Sequence, residues 1–454
     1  MRGRYKPYPE YRDSDTDLIV VIPKHWRTTK FRYLFRMVKG LTITKANLEE
    51  EGVPCVNYGE VHSKYGFRVN PEIHPLKCVD KQYLNSSPSA LLERGDMVFA
   101  DTSEDLDGAG NFTQSVGNQT LFAGYHTIIA KPYPTNSSDF LAYAIDSTEF
   151  RTQVRLAVKG VKVYSITQAI LRNTDLWLPP FAEQSQIADF LDYETAKIDL
   201  LIEKQSVLID LLKEKRQAVI SHAVTKGLNP DAPMKDSGLE WLGEVPEHWR
   251  LKATKRLFTL VAESAPANNN YELLSIYTAI GVRPRRDLEA KGNKATTTDG
   301  YWVVRKGDLI VNKLLAWMGA IGVSEFDGVT SPAYDILRQR IPLVPQFYDY
   351  LFRCGICLPE FRRWSRGIMD MRLRLYFEEL GRLVMPYPSE AEQSEIVTYL
   401  KNKLRRFDTL IVDARRAIDL LKERRAALIS AAVTGKIDVR DWKAPESDST
   451  ETDE

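Results

Sequence analysis

Several short runs in this chain have the residue types of a reactive site, and each lacks a part the chemistry needs. Leu178-Pro179-Pro180-Phe181 has the outline of a site that grips an amino group for methyl transfer, where Asn or Asp before Pro-Pro accepts its hydrogen bonds. Leu178 cannot accept one, and the matching run later in the chain reads Met385-Pro386-Tyr387-Pro388. No Gly-rich strand-turn-helix followed by an acidic ribose ligand is present for S-adenosylmethionine. Gly435-Lys436 is followed by Ile437 and lacks the upstream glycine of a phosphate-binding loop. Cys354-Gly355-Ile356-Cys357 has redox or half-zinc spacing, but Cys55 and Cys78 are too far apart to complete a zinc site. Buried thiols are expected there. Asp101, Glu104, Asp105 and Asp107 could crowd around a nuclease metal, yet a lysine at short spacing is missing, so a solvated loop is expected. His25-Trp26 and His248-Trp249 read as indole anchors, each with an imidazole making a local hydrogen bond. These residues support no catalytic site and no metal site.

Binding chemistry remains. The second half offers Arg283, Arg285, Arg286, Lys291, Lys294, Lys313, Arg362, Arg363, Arg366, Arg372 and Arg374, with Trp317 and other aromatics interleaved. The first half offers Lys45, Tyr58, His62, Lys64, Arg68, Asn118, Gln119, Lys159 and Lys162. Arginine suits guanine edges, Asn and Gln suit adenine edges, and cations of either kind suit phosphates. Taken singly, each of these reads as solvated surface; the clusters carry the case for DNA. Net charge does not, because 62 basic residues face 61 acidic ones for a total of +1. The excess is local, about +6 from Pro246 to Pro388 and about +2 from Pro23 to Pro180. Any grip on DNA is therefore local, or shared with partners.

The elements that hold these residues are built twice. Ala182-Glu183-Gln184-Ser185 returns as Ala391-Glu392-Gln393-Ser394, 209 positions later. At the same offset Leu211 to Arg216 and Ala223-Val224-Thr225 return as Leu420 to Arg425 and Ala432-Val433-Thr434. Pro23-Lys24-His25-Trp26-Arg27 returns as Pro246-Glu247-His248-Trp249-Arg250, but at an offset of 223. The first globular stretch is thus 14 residues longer, while the repeated segments keep their length. A period this long is a duplicated domain-plus-helix unit, not a solenoid.

The repeated segments lack Gly and Pro up to Gly227 and Gly435 and predict long helices. Ser389-Glu390-Ala391-Glu392 predicts a capping box. Apolar residues recur every seven: Ile187, Leu191, Ile198, Leu201, Leu208, Leu212 and Val219, matched by Ile396, Leu400, Phe407, Leu410, Leu421 and Leu428. That spacing predicts an antiparallel coiled coil whose gaps leave room for partners. Strands are predicted over 53–61, 96–100, 125–131, 272–279, 308–311 and 333–338, and helical spacing over 140–156 and 346–364. Gly95-Asp96 and Gly307-Asp308 predict matching turns into buried strands. The fold class is α+β: two mixed α/β domains separated by two long helices, pseudo-two-fold symmetric. The expected division is an N-terminal lead 1–22, a first domain 23–180, a helix 181–227, a linker 228–245, a second domain 246–388, a helix 389–436 and an acidic tail 437–454.

A chain of 454 residues with 43% apolar and 27% charged residues suits a soluble protein of several domains. It has no run of the roughly 18 apolar residues a membrane span needs. Met1 to Glu10 lacks the apolar core of a secretory signal, and four cysteines make no disulfide framework. A cytoplasmic location is expected.

In order and in duplicate, these motifs resemble Type I restriction-modification specificity subunits. The resemblance rests on Pro-x-His-Trp, on Pro-Pro-Phe-Ala-Glu-Gln and Pro-Ser-Glu-Ala-Glu-Gln before the helices, and on Leu-Leu-Lys-Glu-(Lys/Arg)-Arg-x-Ala-x-Ile-Ser near their ends. Gly40 to Lys45 and Gly307-Asp308 also fit that family's recognition domains. The resemblance implies a non-catalytic subunit of an anti-phage defence complex. Two target recognition domains would each read half of a bipartite site in double-stranded DNA. The helices would bind two methyltransferase subunits, and two restriction subunits would join that core. Cofactors are then implied only in the partners, S-adenosylmethionine for the methyltransferase and ATP with Mg for the restriction subunit. Two other readings are a coiled-coil scaffold that binds proteins and a specificity subunit of a related DNA-methylating system.

Overall fold

Two long helices run over Phe181–Lys226 and Glu390–Val433, 46 and 44 residues, or about 65–70 Å each at 1.5 Å per residue. The structure, a computed structural model, describes residues 5–160, 163–278, 280–287, 298–368 and 372–445. Both helices stop at a glycine that takes a left-handed conformation, Gly227 at φ 76° and Gly435 at φ 72°. Only glycine adopts that geometry without a Cβ penalty. At Gly435 the space is also closed, because a Cβ there would collide with the Pro23 ring. Among the described residues no helix is long and apolar enough to cross a membrane.

The chain divides into two compact units, residues 1–205 with 416–454 and residues 206–415. Each holds one globular domain and parts of both long helices. In the first unit a five-stranded sheet runs in the order Phe35–Lys39, Thr127–Pro132, Met97–Ala100, Phe112–Ser115, Arg68–Val69, antiparallel except for its last pair. A four-stranded sheet of Cys78–Val79, Val53–Val56, Leu121–Ala123 and Leu91–Leu92 covers a separate small core around Cys55, Val98 and Phe122. The main core joins Trp26, Phe31, Phe99, Phe140 and Phe150 to Ile187, Leu191 and Ile198 of the first long helix and Leu428, Ile429 and Ala432 of the second. The helices run in opposite senses here: Phe190 meets Trp442 at 5.5 Å, while Asp199, farther along, meets Arg425 at 3.0 Å.

The second unit has one four-stranded antiparallel sheet, ordered Phe258–Val261, Tyr334–Gln339, Leu309–Asn312, Ile321–Val323. Its core joins Trp249, Phe258, Phe347, Tyr348 and Phe361 to Ile220 and Val224 of the first long helix and Ile396, Leu400 and Phe407 of the second. The helices again run in opposite senses, with Arg216 3.4 Å from Asp408 and Gly227 lying against Glu392. The coiled-coil seam is real but partial. Ile187, Leu191, Ile198, Ile396, Leu400, Phe407 and Leu428 are buried, and Leu212, Val219 and Leu421 are half-buried. Leu201, Leu208 and Leu410 face outward at 46%, 42% and 51% exposure.

One turn is repeated in detail. Gly95 and Gly307 both take φ 94°. The following aspartate accepts the backbone N–H three residues before it, Glu93 to Asp96 at 2.9 Å and Arg305 to Asp308 at 2.8 Å. Each aspartate then pairs with a cation on the neighbouring strand, Lys131 at 3.1 Å and Arg338 at 2.7 Å. Elsewhere the structure is more broken than the pattern predicts. The strand over 53–61 stops at Val56, because the Asn57 side chain bonds back to the Cys55 carbonyl and the chain turns into Glu60–Lys64. The helical stretch over 140–156 is two helices, Ser138–Asp146 and Thr148–Ala157. Ser147 divides them, its Oγ donating to the Ala144 carbonyl and accepting from Phe150 N–H. The stretch over 346–364 likewise divides at Cys354 to Ile356.

Candidate functional site

The two families of repeated motif meet in space. In the first unit Glu183, in the first turn of its helix, accepts from Trp26 Nε1 at 2.9 Å and bonds His25 Nε2 at 2.7 Å. In the second unit Glu392 accepts from Trp249 Nε1 at 2.9 Å and bonds His248 Nε2 at 3.0 Å. The adjacent glutamine completes each seat. Gln184 donates to the Pro179 carbonyl at 3.0 Å and accepts from Ser137 N–H at 2.9 Å. Gln393 donates to Pro388 at 2.9 Å and accepts from Val344 N–H at 2.8 Å. Each glutamate–indole bond ties the start of a domain to the start of the helix that follows it, and each glutamine ties that helix to the interior of the same domain. The capping box at Ser389 forms only by half: Ser389 Oγ accepts from Glu392 N–H at 3.2 Å, but the Glu392 carboxylate is taken by Trp249 and His248. Glu183, Gln184, Glu392 and Gln393 join domain to helix, whereas the sequence pattern marks them only as a repeat. The signal was there: they are the polar part of an identical four-residue run whose partner motif, His-Trp, is also repeated.

The candidate DNA-contacting residues gather best in the second unit. Arg362 lies over the Trp317 ring at 5.4 Å. Backbone bonds between Arg366 and Arg374, and from Leu375 to Lys313, bring the three basic segments together. Arg362, Arg363, Arg366, Arg372 and Arg374 are exposed. Part of this charge is already paired, Lys313 with Asp335 at 3.0 Å, Arg363 with Glu360 at 3.1 Å and Arg366 with Glu379. Arg283 sits on the strand Gly281–Pro284, and Arg285 and Arg286 follow it, with Arg286 3.0 Å from Glu272. Lys291 and Lys294 lie outside the described residues, as does Lys162.

In the first unit the candidates scatter. The Tyr58 and His62 rings lie 5.2 Å apart in a tilted arrangement, and His62 bonds Ser103 at 3.1 Å. Burial, then Glu104, Asp105 and Asp101, pushes the Tyr58 phenol above its ordinary range, so this corner is acidic rather than basic. Lys64 caps the Pro75 carbonyl at 3.3 Å and lies over Tyr65. Arg68 turns inward to Asp192 at 2.9 Å and Asp139 at 3.2 Å, stacking on Phe67. Burial works against the Arg68 cation and these carboxylates outweigh it. Lys45, Asn118, Gln119 and Lys159 are exposed, with Asn118 and Gln119 between the Phe112–Ser115 and Leu121–Ala123 strands.

Cys354 and Cys357 are buried, with their sulfurs 3.7 Å apart. The hydrogen bond between the two thiols lowers Cys354, and burial raises Cys357. Among the described residues no cluster of His, Cys, Asp and Glu could hold a metal ion.

Comparison with known proteins follows the same architecture. A family model described as the Type I restriction modification DNA specificity domain matches residues 23–208. The putative type I restriction enzyme MjaX specificity subunit of Methanocaldococcus jannaschii is 20% identical over 92% of this chain and 95% of its own length. Over nearly its whole length the chain is similar to a Type I specificity subunit. The EcoBI specificity subunit of Escherichia coli is 24% identical over 66% of each chain. Among solved structures, the HsdS subunit of Thermoanaerobacter tengcongensis aligns over 92% of this chain and 98% of its own at a TM-score of 0.51 and 16% identity. A chain from work on complex assembly and conformational transition of the type I R-M system covers 92% of this chain and 99% of its own, at a TM-score of 0.61 and 16% identity. These two share its fold: mixed α/β domains joined by long helices.

Proposed function

We propose that this chain is the non-catalytic subunit that reads DNA sequence for a Type I restriction-modification complex. Residues 23–180 and 246–388 act as target recognition domains, each reading one half of a bipartite site. The helices 181–227 and 389–436 act as spacers; the lead 1–22, the linker 228–245 and the acidic tail 437–454 read no bases. The observation that carries this reading is the duplicated seat at Glu183 and Glu392. It fixes each domain to the helix that follows it, as a reader fixed to a ruler requires.

The readers work by two kinds of contact. Arginine and lysine hold phosphates and set position, and side chains at base edges discriminate. In the second unit Arg362, Arg366, Arg372 and Arg374 around Trp317 are the first candidates for this role. In the first unit exposed Lys45, Asn118, Gln119 and Lys159 are better placed than inward-turned Arg68. The outward leucines give the helices their partner surface: Leu201 and Leu420 in the first unit, Leu208, Leu211 and Leu410 in the second, all more than 40% exposed. Two methyltransferase subunits dock there and carry S-adenosylmethionine; restriction subunits bring ATP and Mg. The target adenine is flipped out to react in the methyltransferase, so this chain supplies position and no chemistry.

The test is to express the chain with its methyltransferase subunit and map methylated adenines. Exchanging residues 23–180 for the corresponding domain of a relative should change one half of the methylated motif and leave the other. Changes in both halves, or no sequence-dependent methylation with the intact complex, overturn the reading.

A further inference from the structure

We propose that the first unit carries a docking pocket for one protein partner, which inserts a bulky apolar side chain flanked by lysine or arginine. The pocket holds about 360 Å³ and opens between the Tyr11–Pro23 hairpin, the end of the Thr148–Ala157 helix and the Asp175–Leu178 strand. Leu18, Leu156, Ile170 and Trp177 supply its apolar lining. Leu156 is 77% exposed, and the hairpin that carries Leu18 also exposes Val20 at 70% and Val21 at 49%. Exposed apolar side chains gathered at and beside a pocket mark an interaction site. Trp177 is only 3% exposed, and its indole N–H, without an acceptor among the described residues, is itself closed to solvent, so an occupant meets the ring and not the N–H.

Charge decides the kind of partner. Asp17 and Asp175 line the pocket and no lysine or arginine does. Lys30 neutralises Asp175 at 2.7 Å. Asp13, Asp15 and Asp17 remain on the exposed hairpin. Three carboxylates repel phosphate and attract basic side chains, so the occupant is a protein segment and not DNA.

The second unit shows that the surface is used once per chain. At the offset of 223, Leu18, Val20 and Val21 become Trp241, Gly243 and Glu244. Trp241 packs against that unit's own core, and the two exposed valines are gone. This proposal does not rest on the DNA-reading role, because it needs only the first unit's surface.

The probe is a phage-displayed dodecapeptide library panned on the full-length chain, with Leu156→Asp and Asp17→Lys variants as comparisons. Both side chains are exposed, so thermal unfolding of the variants should match the parent. Enriched peptides should share Leu, Phe or Trp beside Lys or Arg. Their affinity should fall about tenfold or more in Leu156→Asp, the loss of one seated side chain, and also fall in Asp17→Lys. Three results each overturn the proposal: peptides that bind Leu156→Asp as well as the parent, an acidic consensus, or displacement of the peptides by duplex DNA.

Discussion

Glu183 and Glu392 occupy the same place in two copies of one design, and they differ in how completely they are enclosed. Glu183 has a side chain 7% exposed and binds three partners: Trp26, His25 and the Tyr8 hydroxyl, the last at 2.6 Å. Glu392 is 22% exposed and binds two, Trp249 and His248. The extra cover in the first unit comes from both ends of the chain. Tyr5 packs on Phe190 at 5.3 Å, Trp442 packs on the same ring, Lys6 pairs with Asp438, and Arg440 lies over Tyr8. In the second unit a continuous connection from Gly227 to Met234 takes that position and leaves a cleft of about 350 Å³ beside His248 and Glu392. The two copies share the acceptor and the indole and differ in the enclosure.

The largest way to break this comparison is to remove the acceptors. Glu183→Ala strands the Trp26 N–H and the Tyr8 hydroxyl in the interior and should cost about 3–5 kcal/mol, the sum of two unsatisfied buried groups. Glu392→Ala strands one buried N–H, while His248 turns to water, and should cost about 1–3 kcal/mol. A chain of two units is not expected to unfold in one step, so the readout is hydrogen exchange at the first turn of each helix, 182–187 and 391–396. Equal losses at the two sites would end the claim that enclosure differs in energy.

These residues also show what a sequence discloses. The helices, the duplicated domains and both glycine-led turns were legible, because they follow from repetition, helical period and the demands of positive φ. The glutamate–indole contact was not, although both motifs were plain. It joins residues 157 positions apart in the first unit, and nothing local says that two repeated motifs touch. Local competition hid the breaks: Asn57 and Ser147 bond to nearby backbone and end a strand and a helix that apolar spacing alone would continue. Arg68 shows the limit for binding sites. Its type suits a phosphate, but its surroundings include Asp192 from the long helix, 124 positions on.

A smaller contrast sharpens the comparison along the helices. In the first unit Arg425, with a side chain 20% exposed, bridges Asp146 at 3.3 Å and Asp199 at 3.0 Å and so ties the second helix to both the domain and the first helix. In the second unit Arg216 and Asp408 are 37% and 62% exposed at 3.4 Å. Arg425→Ala should cost about 1.5–3 kcal/mol, as charge-assisted bonds in a partly enclosed site do. Arg216→Ala should cost no more than about 1 kcal/mol, as solvent screens an exposed pair. Raising salt should weaken the second effect and leave most of the first. A larger loss at Arg216 would place the tighter helix junction in the second unit.

The finest test isolates the third donor. Tyr8→Phe keeps the ring against Trp26, 5.8 Å away, and removes only the hydroxyl that reaches Glu183. Burial and then Glu183 both push that phenol well above its ordinary range, so it stays a neutral donor at all working pH values. Its loss should cost about 1.5–2 kcal/mol, the low end of the range for a hydrogen bond to a charged group, read as faster exchange at 182–187 and none at 391–396. Against a Glu183→Ala background the same change should cost nearly nothing, since the acceptor is already gone. If Tyr8→Phe costs as much there as in the parent, the phenol acts through packing. The enclosure of the first seat would then be a matter of rings covering it, with no third bond behind it.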